Sequence, residues 1–367
     1  MKILHVVGRM DRGGTEALLM NLLHTVDKDR YQFDFIEQTQ DECDYDQEIL
    51  SLGSKIYRCP HISLGSLKEY RKWWREFFVE HPEYRIVHGH SRGSAPIYLD
   101  EAKKAGRVTI LHCHNNSHGK GIKGLTRYIW QLPLRKLADY NFACSFDSGV
   151  SQFGKNSKFT VIKNGIQTER FAWNPDTRSR VRKEFGIEEN LIVGNVSRLE
   201  EQKNHKFLLK IFREIYKQEP TAKLMLVGQG TLEEQIRKEA GDLKIQDKII
   251  FMGVRSNVNE LMQAMDVFVL PSLFEGLGIV NIEAQAAGLP CFVSDKVVPP
   301  EVDVTDLMHH ISLGESPEVW AKQILAGVIS VEERRDRTGE IVASGFDIRS
   351  TCKQLCEFYE GVWKDEQ

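Results

Sequence analysis

The sequence predicts an α/β protein with two parallel-sheet domains, and three observations lead to this prediction. Short apolar runs rich in β-forming residues alternate with longer amphipathic segments, which is typical of βαβ units. This alternating series occurs twice along the chain, with a polar interruption between the two series. The length of 367 residues also suits two domains better than one. We therefore expect two Rossmann-like domains with a cleft between them.

The first series predicts an N-terminal domain over residues 1–165. Its six strand-like runs are KILHVVG, YQFDFIE, YRIVHGH, RVTILHC, YNFACS and KFTVIKN. Each run ends in polar or glycine residues, as strands of a parallel sheet commonly do. Amphipathic segments such as GTEALLMNLLHTV lie between the runs and are predicted to be helices.

The rest of the chain divides into three further segments. Residues 166–189 are polar and lack a strand-like run, so we predict a linker that carries one helix. The second series predicts a C-terminal domain over residues 190–345. Residues 346–367 have apolar positions at helical spacing and are predicted to form a closing helix. The strand-like runs of the second series are LIVGNVS, AKLMLVG, DKIIFMG, DVFVLP and LPCFVSD.

Composition narrows the classes of function. The formal net charge of −3 gives no overall attraction to nucleic acid. The seven cysteines include no C-x-x-C pair and indicate a reducing compartment. The apolar run at the N-terminus is too short for a signal peptide, and no run is long enough to span a bilayer. We therefore expect a cytoplasmic protein, at most peripheral to the inner face of a membrane.

The stretch LFEGLGIVNIEAQAAGLP, residues 273–290, follows a predicted strand and should begin a helix. Ligands bind at the carboxyl ends of strands in open α/β sheets. The backbone N–H groups of Gly278, Ile279 and Val280 would therefore form an anion site suited to a phosphate. Glu275 and Glu283 could each hold a vicinal diol of a sugar. Spacing alone favours a structural interpretation, in which Glu275 stabilises the helix start and Glu283 lies on a solvated face.

The flanking residues add a family resemblance. The stretch FEGLGIVNIEAQAAGLPCFVSD closely resembles the E-x7-E signature of the family 4 retaining glycosyltransferases, which have the GT-B fold. GNVSRLEEQKNHKF resembles the R-x4-K segment of that family, here Arg198 and Lys203. GGTEALLMNLL and RVTILHCHN resemble its N-terminal glycine loop and the strand that carries its active-site histidine. The most similar subgroup comprises bacterial exopolysaccharide and capsule enzymes.

The resemblance implies a role for each matching residue. Glu283 would hold the ribose hydroxyls of a nucleotide, and Glu275 would hold hydroxyls of the donor sugar. Arg198 and Lys203, with the helix amides, would neutralise the diphosphate. His114 would hydrogen-bond the donor sugar near its reacting carbon. Four further positions would border the donor, namely Gly13 and Gly14 in the first loop and Gly228 and Val254 near the base.

The implied reaction moves a sugar from a nucleoside-diphosphate sugar, taken as a UDP-sugar, to a saccharide or a polyprenyl-diphosphate-linked acceptor. Fixed cations and amides would stabilise the departing diphosphate, so no metal or other cofactor is expected. The configuration at the transferred carbon would be retained through a front-face substitution. In this reading the enzyme serves surface polysaccharide biosynthesis.

Other readings remain open from the sequence. A nucleotide-sugar epimerase could use the same architecture with an acid/base pair in the first domain, and a binding protein could keep the fold without turnover. GHSRG matches the G-x-S-x-G motif of serine hydrolases around Ser91, although no oxyanion segment lies upstream. His112 and His114 are interpreted as facing opposite sides of a strand and therefore as unable to share a metal ion.

A basic stretch suggests where the acceptor approaches. No acidic residue occurs between Ala102 and Ala138, and this stretch contains Lys120, Lys123 and Arg127 beside aromatic residues. Anionic lipid attracts basic residues near its surface by about 1 kcal/mol each. We therefore expect these three residues to lie on the acceptor and membrane side.

Overall fold

The computed structural model describes residues 1–60, 62, 65–114 and 134–365. The chain forms two compact units. The first comprises Met1–Gly165 and Ile348–Gln367, and the second comprises Ile166–Asp347. No helix in the described ranges is both long enough and apolar enough to cross a membrane.

The described residues form the following strands and helices. The strands are β1 (Lys2–Val7), β2 (Gln32–Glu37), β3 (Ile56–Arg58), β4 (Ile86–Gly89), β5 (Val108–Cys113), β6 (Tyr140–Ala143), β7 (Thr160–Val161), β8 (Ile192–Val196), β9 (Lys223–Val227), β10 (Ile249–Gly253), β11 (Val267–Leu270), β12 (Cys291–Ser294) and β13 (Met308–Ile311). The helices are α1 (Gly14–Thr25), α2 (Asp46–Ser51), α3 (Leu67–Glu80), α4 (Ala95–Lys104), α5 (Leu134–Leu137), α6 (Phe146–Phe153), α7 (Thr168–Phe171), α8 (Pro175–Phe185), α9 (His205–Gln218), α10 (Glu233–Asp242), α11 (Val258–Ala264), α12 (Val280–Ala286), α13 (Pro317–Ala326), α14 (Thr338–Ala343) and α15 (Ile348–Asp365). Short 3₁₀ turns occur at Glu201–Lys203, Gln246–Lys248 and Pro300–Val302.

The first unit is built around a parallel sheet with the strand order β3-β2-β1-β4-β5-β6-β7. Alternate side chains of each strand enter two different cores, because successive residues of a strand point to opposite faces. Ile3 and Ile110 pack with residues of α1 and α15. Leu4 and Leu111 pack with residues of α3 and α4 on the other face. The strand order reverses between β1 and β4, which makes their carboxyl ends the switch point of this sheet.

The second unit repeats this plan with the order β10-β9-β8-β11-β12-β13, again all parallel. Its central strands are almost wholly apolar, as strands covered on both faces are. Val193, Val267 and Val269 are fully buried in a core with α9 and α13. The strand order reverses between β8 and β11, so the carboxyl ends of these two strands form its switch point.

The predicted α/β class with two Rossmann-like domains is confirmed, and the structure adds detail that the sequence patterns missed. The edge strand β3 was not among the predicted strands because its three residues are all partly exposed. The predicted linker, 166–189, instead lies within the second unit and carries two helices, α7 and α8. The last helix, α15, belongs to the first unit.

Arginine side chains explain why the polar segment 166–189 is part of the second unit. Arg178 and Arg182 on α8 are nearly buried and form ion pairs with Asp266. Both arginines, with the buried Arg334, also donate to the carbonyl groups at the end of α11, which lack partners inside the helix. The accepting carbonyls belong to Met262, Gln263, Ala264 and Met265. Arg178 and Arg182 therefore cap a helix end and are not part of a solvated surface.

Candidate functional site

Two loops meet at the switch point of the second unit, one after β8 and one after β11. We call residues 197–204 and 271–280 together the switch-point site. Hydrogen bonds join the two loops directly: the Leu273 amide donates to the Gln202 carbonyl at 2.8 Å, and Gln202 Nε2 donates to the Phe274 carbonyl at 2.8 Å. Asn204 Nδ2 donates to the Pro271 carbonyl at 3.0 Å. These bonds fix the relative position of the two predicted donor-binding segments.

Lys203 and Glu275, both predicted site residues, form an ion pair in the switch-point site. Lys203 Nζ lies 2.6 Å from Glu275 Oε1, and the two side chains are only 13% and 4% exposed. Ser272 Oγ donates to the same Oε1 at 2.5 Å. Among the described residues, no donor contacts Glu275 Oε2. The glutamate is therefore held in place through one oxygen while the other can accept a hydrogen bond from a ligand.

Arg198 lies in the same loop and is exposed. Within the described ranges its guanidinium makes no hydrogen bond or ion pair. The loop that carries it is packed closely against the chain after β9. A Cβ at Gly228, which has φ of +129°, would come within 2.1 Å of the Ser197 carbonyl oxygen. Glycine at this position lets the Leu199 amide donate to the Gln229 carbonyl at 3.0 Å, which fixes the backbone on both sides of Arg198.

The start of α12 places the predicted anion-binding amides beside the ion pair. Gly278 has φ of +73°, Ile279 is the N-cap residue, and Val280 is the first helical residue. The positive φ of Gly278 turns the chain sharply from the loop into the helix. Gly288, with φ of +70°, follows the helix end. Val254, predicted to border the base, is 37% exposed just after β10.

Glu283 lies in the first turn of α12. No hydrogen bond or ion pair within the described part of the chain joins it to the Lys203–Glu275 pair. Burial raises the pKa of Glu283 to about 7, and the charge of Arg170 partly opposes this rise. The carboxyl group therefore changes protonation state near neutral pH.

His114, the predicted active-site histidine, directly follows β5, the neighbour of β4 in the first sheet. Its Nε2 lies 2.9 Å from Nδ1 of His90, and Nε2 of His90 lies 3.1 Å from Nδ1 of His5. Burial, and then the charge of Arg92, lower the pKa of His114 to about 3. The ring is therefore neutral at physiological pH and can both donate and accept a hydrogen bond.

The interpretation that His112 and His114 face opposite sides of the strand is wrong. Their ring centroids are 4.2 Å apart. Side chains alternate along a strand, so residues two positions apart point to the same face. The same spacing places His88 and His90 on that face too, with centroids 4.5 Å apart.

The remaining predicted residues are placed as follows. Gly13 is the N-cap of α1 and Gly14 its first residue, and a Cβ at Gly13 would lie 2.4 Å from Glu16 Oε2. Ser91 follows β4, but no histidine in the described ranges bonds its hydroxyl. The predicted acceptor-side residues Lys120, Lys123 and Arg127 lie outside the described residues.

Comparison with known proteins decides the family. The model named Glycosyl transferases group 1 matches residues 177–340, and the model named Glycosyltransferase Family 4 matches residues 12–170. The glycosyltransferase EpsF of Bacillus subtilis is 34% identical over 369 residues, which cover 98% of this chain and 96% of EpsF. The chain belongs to the family 4 glycosyltransferases.

Other relatives of this glycosyltransferase act on defined donors. The GDP-mannose-dependent alpha-(1-6)-phosphatidylinositol monomannoside mannosyltransferase of Mycolicibacterium smegmatis is 26% identical over 70% of each chain. The UDP-Gal:alpha-D-GlcNAc-diphosphoundecaprenol alpha-1,3-galactosyltransferase of Escherichia coli is 28% identical over 58% of each chain. The crystal structure of Anabaena HepE with UDP and glucose superposes with a TM-score of 0.81 at 20% identity, over 98% of this chain and all of HepE. The expected GT-B fold is confirmed.

Several residues that hold the candidate site together were not found from the sequence. Gln202, Asn204 and Ser272 hold the two loops of the switch-point site, and His90 contacts His114. His90 had a detectable signal, because H-x-H occurs at the ends of two strands, in VHGH and LHCH. The other three are ordinary polar loop residues whose partners are distant in sequence.

Proposed function

We propose that this glycosyltransferase transfers a sugar from a nucleoside-diphosphate sugar, by preference a UDP-sugar, to a saccharide or lipid-linked saccharide acceptor. The observation that carries the proposal is the switch-point site, where a buried Lys203–Glu275 pair lies in the same pair of loops as the exposed Arg198. A diphosphate needs fixed positive charge, and a sugar needs a carboxylate oxygen beside that charge.

In this proposal each of the three charged groups has a different role. Arg198 offers a planar fork to the diphosphate, and Lys203 offers a compact charge near the phosphate that leaves. Glu275 keeps Lys203 in position through Oε1 and accepts a sugar hydroxyl at Oε2. Because these groups and the amides at the start of α12 neutralise the diphosphate, donor binding and transfer require no metal ion in this scheme.

We further propose that the transferred sugar retains its anomeric configuration. The support is the family resemblance, in which the departing phosphate takes the proton of the acceptor hydroxyl on the same face. Proton NMR of the freshly formed glycoside tests this. The proposal expects the anomeric coupling pattern of the donor sugar in the product, and an inverted pattern contradicts it.

A panel of donors tests the main proposal. The protein is incubated with UDP- and GDP-activated sugars, with and without lipid-linked saccharide acceptors, and release of the nucleoside diphosphate is measured. We expect release from at least one donor, strongest with a UDP-sugar and increased by an acceptor. Release only from GDP-sugars would show that the donor carries guanine and not uracil. No release from any donor with any acceptor would contradict the proposal.

Arg198→Ala should weaken diphosphate binding by about 1.5–3 kcal/mol, the range for a hydrogen bond to a charged group. The exposed guanidinium has no other partner among the described residues, so its loss should leave the fold intact. Calorimetric titration with UDP measures the change. Lys206→Ala is the matched control, because Lys206 is an exposed cation nearby on α9 that pairs with Glu239. Equal affinities of the Arg198→Ala variant and the wild type for UDP would show that Arg198 does not bind the diphosphate.

Donor affinity should depend on pH through Glu283. The ionised carboxylate can accept two ribose hydroxyls, whereas the protonated form loses that capacity. Because burial raises the pKa of Glu283 to about 7, affinity should decrease as pH falls below about 7, approaching tenfold per pH unit. A UDP-sugar is the suitable ligand, since it lacks the terminal phosphate that titrates in UDP. Glu283→Gln should bind more weakly and show no such slope. A slope that persists in this variant would assign the titration to another group.

The basic stretch before Ala138 supports an acceptor at a membrane surface. Both anionic lipid and a polyprenyl diphosphate would be attracted to Lys120, Lys123 and Arg127. We expect reversible binding to anionic vesicles that weakens as salt is raised. Replacing the three residues with glutamate should reduce sedimentation with vesicles and transfer to a lipid-linked acceptor while sparing UDP binding. Unchanged sedimentation of the triple variant would show that the stretch does not bind membrane.

A further inference from the structure

A cluster of five histidines lies on one face of the first sheet, in the core between the sheet and helix α15. We call it the histidine cluster. It comprises His5 on β1, His88 on β4 with His90 after it, and His112 on β5 with His114 after it. His5 and His88 are register partners on neighbouring strands. All but the partly exposed His90 and His114 are fully buried.

Some ring nitrogens of this cluster lack a hydrogen-bond partner. Within the described ranges, Nε2 of His5, Nε2 of His88 and both nitrogens of His112 are buried and make no hydrogen bond. Buried polar groups are generally satisfied, because an unpartnered one costs about 1–3 kcal/mol. Nε2 of His88 therefore lacks the partner that a buried imidazole needs, and a metal ion is one ligand that would supply it.

We propose that His5, His88 and His90 bind one divalent first-row transition-metal ion, with zinc as the reference ion. One ring nitrogen from each lies within 4.8 Å of the others. Imidazole nitrogens suit zinc, copper, nickel and cobalt. With zinc–nitrogen bonds of about 2.0–2.1 Å, two ligands of a tetrahedral ion lie roughly 3.3 Å apart. Nδ1 of His5 and Nε2 of His90 are 3.1 Å apart, which is already close to that spacing, and the ion would replace the hydrogen bond that they share in its absence.

Tyr359 on α15 favours this triad over the overlapping one formed by His90, His112 and His114. Its hydroxyl lies 2.6 Å from Nδ1 of His88. When Nδ1 carries the proton and donates it to the hydroxyl, Nε2 presents its lone pair to an ion. Metal-binding histidines commonly have such a partner on the other ring nitrogen. For His112 the described residues provide no partner of this kind.

The ion would link β1 and β4. Through the contact between His88 and Tyr359 it would also stabilise the position of α15 against the sheet. The ion would not use His114, whose Nε2 would keep its contact with Nδ1 of His90. The inference does not rest on the proposed function, since the switch-point site belongs to the second unit and its scheme uses no metal.

Titration of the untagged, chelator-treated full-length protein with zinc chloride tests the inference. We expect calorimetry to show about one ion per chain with submicromolar affinity, and the melting temperature to rise on addition of zinc. Cobalt should give the visible absorption of a nitrogen-ligated ion. A wild-type protein that binds no stoichiometric zinc overturns the proposal.

Three variants and a control locate the ion. His88→Asn and His90→Asn should lose binding, and Tyr359→Phe should weaken it by roughly 10–100-fold, the usual effect of removing a ligand's partner. His24→Asn is the control, because His24 is an exposed histidine of the same unit. Each variant is checked by near-UV circular dichroism without metal. If a histidine variant unfolds, the zinc affinity of Tyr359→Phe tests the site instead, because this substitution removes a single oxygen atom. Wild-type affinity in Tyr359→Phe, or equal loss in His24→Asn, would overturn the assignment.

Discussion

Replacing Glu275 with alanine is expected to reduce sugar transfer by about a hundredfold or more, a typical loss for a fixed polar group that acts on the transition state. Two effects combine. The sugar loses the carboxylate oxygen that accepts its hydroxyl, and Lys203 loses the partner that holds its ammonium group. Turnover is measured as acceptor-dependent release of the nucleoside diphosphate. Glu234→Ala, at an exposed glutamate of α10, is the control.

Ligand binding separates the two carboxylates of the E-x7-E stretch. Glu275→Ala should weaken chiefly the binding of the UDP-sugar and that of UDP much less, because only the sugar uses Oε2 of Glu275. Glu283→Ala should weaken both ligands, because ribose is common to them. Indistinguishable profiles for the two variants would show that the roles are assigned wrongly.

Asp266→Ala should cost about 3–5 kcal/mol of the free energy of unfolding of the second unit, the usual cost of removing one partner of a buried ion pair. Arg178 and Arg182 would remain nearly buried without their carboxylate, and the Ile192 amide would lose its acceptor at 2.7 Å. Urea unfolding followed by fluorescence and circular dichroism measures the loss. Because the chain has two units, the transition that changes is assigned to the second unit before it is fitted.

Glu184→Ala is the matched control for this stability experiment. Glu184 lies on the same helix as the two arginines and pairs with Arg180 at 3.8 Å, but both side chains are about half exposed. Exposed pairs of this kind contribute about 0–1 kcal/mol. If the two variants cost the same, the arginine–Asp266 network does not anchor the segment 166–189 in the second unit.

Much of the fold could be predicted because buried parallel strands leave a strong local signal. Runs such as KILHVV and DVFVLP are apolar, short and bounded by polar residues, and they match β1 and β11. The segment 166–189 misled the prediction because its arginines pair with Asp266 and with helix carbonyls some 80–90 positions away. Local polarity does not distinguish a buried guanidinium with distant partners from a solvated one.

The candidate site shows the same limit. The E-x7-E and R-x4-K stretches indicate the residues, but the ion pair between Lys203 and Glu275 joins positions 72 apart in sequence. Only the strand order, which places β8 beside β11, brings them together. The histidine cluster was missed for a different reason. The sequence indicates the strands that carry these histidines. The cluster is nevertheless missed when residues two apart in a strand are placed on opposite faces, because such residues share one face.

The most direct test of the account is calorimetric titration of the chelator-treated protein with UDP and, separately, with uridine. In the proposed scheme, the switch-point site binds the diphosphate of the donor through Arg198, Lys203 and the amides at the start of α12. UDP should therefore bind without added metal and at least about tenfold more tightly than uridine, since one charge-assisted bond alone is worth about 1.5–3 kcal/mol. Equal affinity for the two ligands, or UDP binding that appears only when a divalent metal is added, would contradict the account.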